Sequence, residues 1–131
     1  MLLERQVRLG LDILCQELTE PVFRVGLEGP AKLSGVSKEL WDGVLRVVRE
    51  LIWNARKHSQ ADGVTVTSQE NERTWGIEVR DQGKGFDPEQ IPEDSYGLCT
   101  AVERARMMGF ELVIDSVRGE GTRITLRGTI A

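Results

Sequence analysis

Ser37-Lys38-Glu39-Leu40-Trp41-Asp42-Gly43-Val44-Leu45-Arg46-Val47-Val48-Arg49-Glu50-Leu51-Ile52-Trp53-Asn54-Ala55-Arg56-Lys57-His58 is the longest stretch of the chain with a helical period. At about 100° per residue, Leu40, Val44, Val47, Val48, Leu51, Ile52 and Ala55 form one apolar arc, which must face a core. Ser37 stands where an N-cap belongs, just ahead of Lys38-Glu39. Glu50, Asn54 and Lys57 fall along one stripe at the border of the arc, because spacings of four and three stack side chains. Such a stripe can line a cleft; a solvated Glu/Lys face is its ordinary reading. Trp53 projects from the polar arc among Asp42, Arg46, Arg49 and Arg56, where it either meets another segment or lies half-exposed on arginine stems.

Outward from this helix, the period changes to two. Val64 and Val66, then Trp75, Ile77 and Val79, alternate on either side of the turn Glu70-Asn71-Glu72-Arg73, which predicts a hairpin. Asp81 follows at the exit of the second strand, inside Asp81-Gln82-Gly83-Lys84-Gly85-Phe86, and Asp87 to Tyr96 reads as a loop. Helical spacing returns from Gly97 to Met108 and ends at Gly109. A last hairpin pairs Leu112 and Ile114 with Ile124 and Leu126 across Arg118-Gly119-Glu120-Gly121. On the other side of the long helix, Val7, Leu11, Leu14 and Leu18 predict a helix over Leu2 to Leu18 that Gly10 weakens, followed by Glu20-Pro21 and a short strand through Phe23, Val25 and Leu27. One-sided alternation in every strand implies a sheet with helices on a single face, an α+β two-layer sandwich.

The bulk properties agree with one compact domain. The chain has 131 residues, 40% of them hydrophobic and 29% charged, which excludes a disordered or collagen-like chain. A net charge of −4 argues against a nucleic-acid grip. No apolar run approaches the ~18 residues of a membrane helix, and the N-terminus is not a secretory signal, so a cytoplasmic location without membrane contact is expected. Cys15, Cys99 and the single His58 stand too far apart in sequence to suggest a zinc set or a redox pair.

Four groups of residues at the ends of elements carry a family resemblance. Glu50-Leu51-Ile52-Trp53-Asn54-Ala55-Arg56-Lys57-His58 resembles the N box of the GHKL ATPases, and Asp81-Gln82-Gly83-Lys84-Gly85-Phe86 their first glycine box. Gly119-Glu120-Gly121-Thr122 resembles their last box. Gly97-Leu98 with Glu103-Arg104-Ala105 is similar to the remaining box as written in sensor histidine kinases of the nitrate-sensor and DesK-like subgroup. One such string occurs by chance; four in order form a joint signal over about Val22 to Arg127.

The resemblance implies a mixed, mostly antiparallel sheet with helices on one face, the GHKL (Bergerat) ATP-binding fold, with an ATP pocket beside the long helix. Residues 1–20 would be a linker helix from a dimerisation hairpin outside this chain, and residues 21–131 the catalytic domain. The cofactor-binding set is then Asn54, Lys57, His58, Asp81, Gly83, Gly85, Gly97, Leu98, Gly119, Gly121 and Thr122, with Glu50 and Asn54 catalytic and Asn54 the ligand of Mg²⁺. The residue types suit these tasks. A carboxylate accepts from the amino group of adenine and repels the carbonyl of guanine. Glycines admit close backbone approach. A carboxamide oxygen suits Mg²⁺, which takes few protein ligands. Glu50 could hold a metal-bound water or polarise the attacking group, while Lys57 and Arg104 could neutralise phosphate charge. Asp81 read alone is equally a turn former bonding its own backbone, and Thr122 equally the β-favouring start of a strand.

The implied function is the Mg-ATP-binding domain of a two-component histidine kinase. It would transfer the γ-phosphate to a histidine on a separate hairpin and act upstream of a response regulator; the isolated domain is expected to be a monomer. His58 matches a nucleotide-side position, not the phosphoacceptor. Two departures stand out: Ser95-Tyr96-Gly97-Leu98 keeps only the second glycine of Gly-x-Gly-Leu, and Gly109-Phe110 replaces Gly-Gly. The loop carrying Asp87, Glu89, Glu93 and Asp94 is acidic and cannot itself neutralise a triphosphate. An anti-sigma-type serine kinase and a catalytically silent ATP-binding interaction module are the competing readings.

Overall fold

The computed structural model describes residues 10–87 and 96–130. Among these, α1 spans Leu11–Leu18, β1 Arg24–Glu28, α2 Lys38–His58, β2 Gly63–Glu70, β3 Thr74–Asp81, α3 Tyr96–Met107, β4 Glu111–Val117 and β5 Gly121–Thr129. The strands form one sheet in the order β1-β2-β3-β5-β4. β1 and β2 run parallel, from Arg24↔Gly63 to Glu28↔Thr67, and the long α2 connection between them supplies the crossover that a parallel pair needs. The other neighbours are antiparallel. The mixed sheet with helices on one side is therefore the expected sandwich.

The core lies between α2 and the inward residues of the strands. Val44, Val47, Val48, Leu51 and Ile52 are buried with Val66, Ile77, Val79, Ile124 and Leu126 in one cluster. Trp41 and Leu45, outside the predicted arc, are buried as well. The reason is that α1 and α3 both flank α2, so a wider arc is covered than the sheet alone would cover. Ser37 is the N-cap residue, but its side chain makes no capping hydrogen bond.

Gly10 does not interrupt a helix among the described residues; it caps one, with extended φ/ψ, and Leu11 N–H donates to Ala31 O at 2.7 Å. Residues 2–9 of the predicted helix lie outside the described residues. Leu11, Leu14, Cys15 and Leu18 of α1 join the same core cluster as α2. Thr19 Oγ1 accepts the Val25 N–H at 3.0 Å, which ties the end of α1 to the edge strand. Trp53 is 52% exposed with the Arg56 guanidinium 5.3 Å from its ring, the half-exposed alternative of the two. Phe110 packs edge-to-face on Trp75, centroids 4.8 Å apart, and so turns the Gly-Phe departure into a core contact.

Candidate functional site at the end of the sheet

The register Asp81↔Thr122 brings the last residue of β3 beside the second residue of β5. Both are buried, at 7% and 9% exposure, where polar groups are scarce. The Asp81 carboxylate accepts the Gly83 N–H at 2.8 Å and the Thr122 N–H, so the backbone-bonding reading of Asp81 is part of the truth. Burial nevertheless outweighs these bonds and raises its pKa above the ordinary value. An acid kept in place against that cost is a candidate for a functional group.

Helix α2 forms the facing wall. Leu51, Asn54, Ala55 and His58 line a cleft of about 120 Å³ together with Asp81 and Thr122. Asn54 Oδ1 is buried and has no hydrogen-bond partner among the described residues. An orphaned buried carboxamide oxygen is costly unless something else satisfies it. One turn earlier, Glu50 Oε1 accepts from Arg104 Nη2 of α3 at 3.1 Å, while Glu50 Oε2 and Arg104 Nε are buried without partners among the described residues. Arg104 is thus bound to Glu50 rather than free to serve phosphate alone.

The glycines of the loop after β3 fit the protein's own backbone. A Cβ at Gly83 would collide with Ser59 O at the end of α2, the carbonyl that accepts the Lys84 N–H. Gly85, at φ +63°, would meet Val117 O, so it needs both the left-handed conformation and the missing side chain. Gly85 also lines the cleft, with Lys84 and Phe86. Gly119 stands in the β4–β5 turn and Gly121 opens β5. Lys57 is exposed and outside the cleft lining, one position before His58, which is in it. Leu98 is buried in the core, and Gly97 lies in the first turn of α3. Ser95, Glu89, Glu93 and Asp94 lie outside the described residues.

Ser116 escaped the sequence reading. It is buried at 5% and joins three partners: it accepts the Phe86 N–H at 2.9 Å, contacts Thr122 Oγ1 at 2.7 Å and reaches Gly121 O at 3.2 Å. A signal was available, because Ser116 continues the inward parity of Leu112 and Ile114 with a polar residue. Lys84 at the cleft was likewise passed over.

A larger hollow of about 540 Å³ lies on the open face of the sheet around Gly76, Thr125 and Gly128. It contains none of the predicted site residues. The smaller cleft is the candidate site because, among the described residues, it brings the buried Asp81 and Thr122 together with the buried Asn54 carboxamide oxygen. Among the described residues no three of His, Cys, Asp and Glu converge on a metal position. No described helix is long and apolar enough to cross a membrane.

Residues 40–129 match the family model described as histidine kinase-, DNA gyrase B-, and HSP90-like ATPase, and the chain belongs to that family. It is similar to the sensor histidine kinase LiaS of Bacillus subtilis, 34% identical over 103 residues, which are 79% of this chain and 29% of LiaS. It is also 34% identical over 95 residues to the sensor protein VraS of Staphylococcus saprophyticus, 72% of this chain and 27% of VraS. The chain thus spans under a third of the length of these relatives. In fold it resembles the histidine kinase domain of the blue-light activated histidine kinase of Erythrobacter litoralis, TM-score 0.71 at 18% identity over 92% of this chain and 57% of that one. The ATP binding domain of PrrB from Mycobacterium tuberculosis gives 0.71 at 22% identity over 92% and 91%.

Proposed function

We propose that this chain is the Mg-ATP-binding catalytic domain of a sensor histidine kinase, cytoplasmic, with residues 21–131 as the nucleotide-binding unit and residues 1–20 leading from a dimerisation hairpin. The observation that carries the proposal is that Asn54 and Asp81, on different elements, line one cleft, and that Asn54 Oδ1 is buried there without a partner.

In this reading Asp81 accepts from the amino group of adenine and so selects ATP over GTP. Thr122 presents its hydroxyl beside it. Asn54 Oδ1 suits Mg²⁺ as a hard oxygen ligand, and because Mg²⁺ takes few protein ligands the remaining positions would fall to water and phosphate oxygens. Bound there, Mg²⁺ would neutralise charge on the triphosphate. Glu50, oriented by Arg104, would polarise the attacking imidazole or hold a water. Lys84 at the cleft and Lys57 further along α2 would add positive charge. Gly83, Gly85, Gly97, Leu98, Gly119, Gly121 and His58 would shape the nucleotide's surroundings. The phosphoryl acceptor would be a histidine on the hairpin, with a response regulator downstream, and the isolated domain would be monomeric.

Mixing the 131-residue chain with labelled ATP, Mg²⁺ and hairpins of LiaS-like kinases should give acid-labile phosphate on histidine. Acid-stable phosphoserine on a partner, or ATP binding with no transfer to any such hairpin, would replace the proposal by a serine kinase or a silent binding module.

A further inference from the structure

The three contacts of Ser116 constrain protons as well as atoms. A serine hydroxyl has one proton to give and two lone pairs. One lone pair takes the Phe86 N–H. The proton then has two possible destinations: Thr122 Oγ1 at 2.7 Å, an ordinary O–H···O distance, or Gly121 O at 3.2 Å, a long one. The choice fixes what Thr122 can do. If Ser116 donates to Thr122, the Thr122 proton is released toward the cleft that Thr122 lines. If Ser116 donates to Gly121, Thr122 must spend its proton on Ser116 and can only accept. The Phe86 N–H polarises the serine oxygen in the sense that strengthens its donation.

We propose that Ser116 is a positioning residue for purine recognition, donating to Thr122 Oγ1 so that the Thr122 hydroxyl points its own proton at a ring nitrogen beside the purine amino group. This rests on the ATP reading above. The floor of the cleft then presents an acceptor, Asp81, next to a donor, Thr122. Adenine offers the complement, an amino donor next to a bare ring nitrogen. A 6-oxopurine offers the reverse, a carbonyl next to a ring N–H, and meets a mismatch at both positions. The specificity of the site is thereby set in part by a residue that touches no purine atom.

The test uses the full chain with ATP and ITP, whose bases differ in this pattern. Ser116→Ala should weaken ATP binding about tenfold, the order of one buried hydrogen bond, and should narrow the preference for ATP over ITP, because Thr122 is free to turn. A purely structural role would weaken both nucleotides equally. In the Thr122→Val background, the same Ser116→Ala change should cost nothing further, and Ser116→Thr, which keeps the hydroxyl, should retain the wild-type preference. An unchanged ATP-to-ITP ratio in Ser116→Ala, or equal losses in both backgrounds, overturns the inference. If Ser116→Ala does not fold, Ser116→Cys, of similar size but a weaker donor, takes its place: a narrowed preference for ATP over ITP is expected, and an unchanged preference overturns the inference. Tight, Asp81-dependent ATP binding with no Ser116 effect sinks this inference alone, whereas a folded wild type that binds neither nucleotide sinks the ATP reading with it.

Discussion

Glu70 and Asp81 end the two strands of one hairpin, at its opposite ends, and both accept N–H bonds from a glycine, yet their carboxyl groups are shifted in opposite directions. Glu70 lies on the exposed rim and accepts from Gly35 N–H at 2.9 Å, Ser34 N–H at 3.1 Å and Ser34 Oγ at 2.9 Å. These bonds, led by that from Gly35, pull its pKa below the ordinary value. Asp81 has comparable bonds, but burial dominates and pushes its pKa up. The rim carboxylate ties the loop before α2 to the sheet, whereas the cleft carboxylate is kept at a cost to the fold. The open sheet face repeats the first pattern: Arg123 reaches Asp115 at 3.0 Å and Glu78 at 3.6 Å, and Arg127 reaches Glu111 at 3.1 Å. Charges there are paired in solvent. In the cleft, polar groups are buried and in part unpartnered, which is why the smaller cavity is the functional candidate.

This contrast can be broken at several points. The largest effect is expected for Asp81→Asn. With Oδ1 still accepting the Gly83 N–H, the amide turns its own N–H toward the purine amino group, and a misdirected buried donor costs about 1–3 kcal/mol, which is roughly five- to 150-fold in ATP affinity. Thermal stability without nucleotide should hold or rise, since the variant removes a carboxylate that burial disfavours. Calorimetric titration paired with thermal unfolding reads both; unchanged affinity removes Asp81 from the site. Next, Asn54→Ala should abolish the enhancement of ATP binding by Mg²⁺, while affinity in EDTA stays near wild type. Equal Mg²⁺ dependence in both proteins would reassign the metal.

The two carboxylates also predict opposite responses to acid. The folded pKa of Glu70 lies below its ordinary 4.5, so its contribution is present above that value and is lost as pH falls through the folded pKa. The folded pKa of Asp81 lies above its ordinary 3.8, so the fold binds that proton more tightly and gains relative stability as pH falls from neutral toward 3.8. Unfolding temperatures against pH should therefore show wild type gaining on Asp81→Asn as pH falls from neutral to about 3.8, and losing ground to Glu70→Gln below about 4.5. Parallel curves would refute the contrast. The smallest effect is expected for Arg123→Ala on the open face, which should leave ATP affinity unchanged, because solvent screens its pairs and it stands on the side of the sheet away from the cleft. A clear loss of nucleotide binding there would mean that the open face of the sheet takes part.

Most of the scaffold was readable from periodicity. The period of α2, the two hairpins and the glycine ending α3 are local signals, because helix and strand faces repeat at fixed spacing. The N-terminal helix was readable only in part: Gly10 acts as a cap at a position where the pattern suggested a weak point within a helix. At the site, Asn54 and Asp81 could be named from their boxes, but Lys57 and His58 could not be told apart. They are adjacent in sequence, and which of them enters the cleft depends on how α2 is rotated against the sheet.

What the amino-acid order determined alone is the set of elements, the inward face of each, and the residue types available at their ends, since these follow from side-chain spacing and backbone chemistry. What only the tertiary structure decided is partnership. Ser116 and Phe86 are thirty residues apart and Glu50 and Arg104 fifty-four, yet each pair is joined by a hydrogen bond. The register of β3, β5 and β4 sets the first meeting and the packing of α3 along α2 the second, and neither leaves a local trace, because a hydrogen bond depends on distance in space and not on separation along the chain.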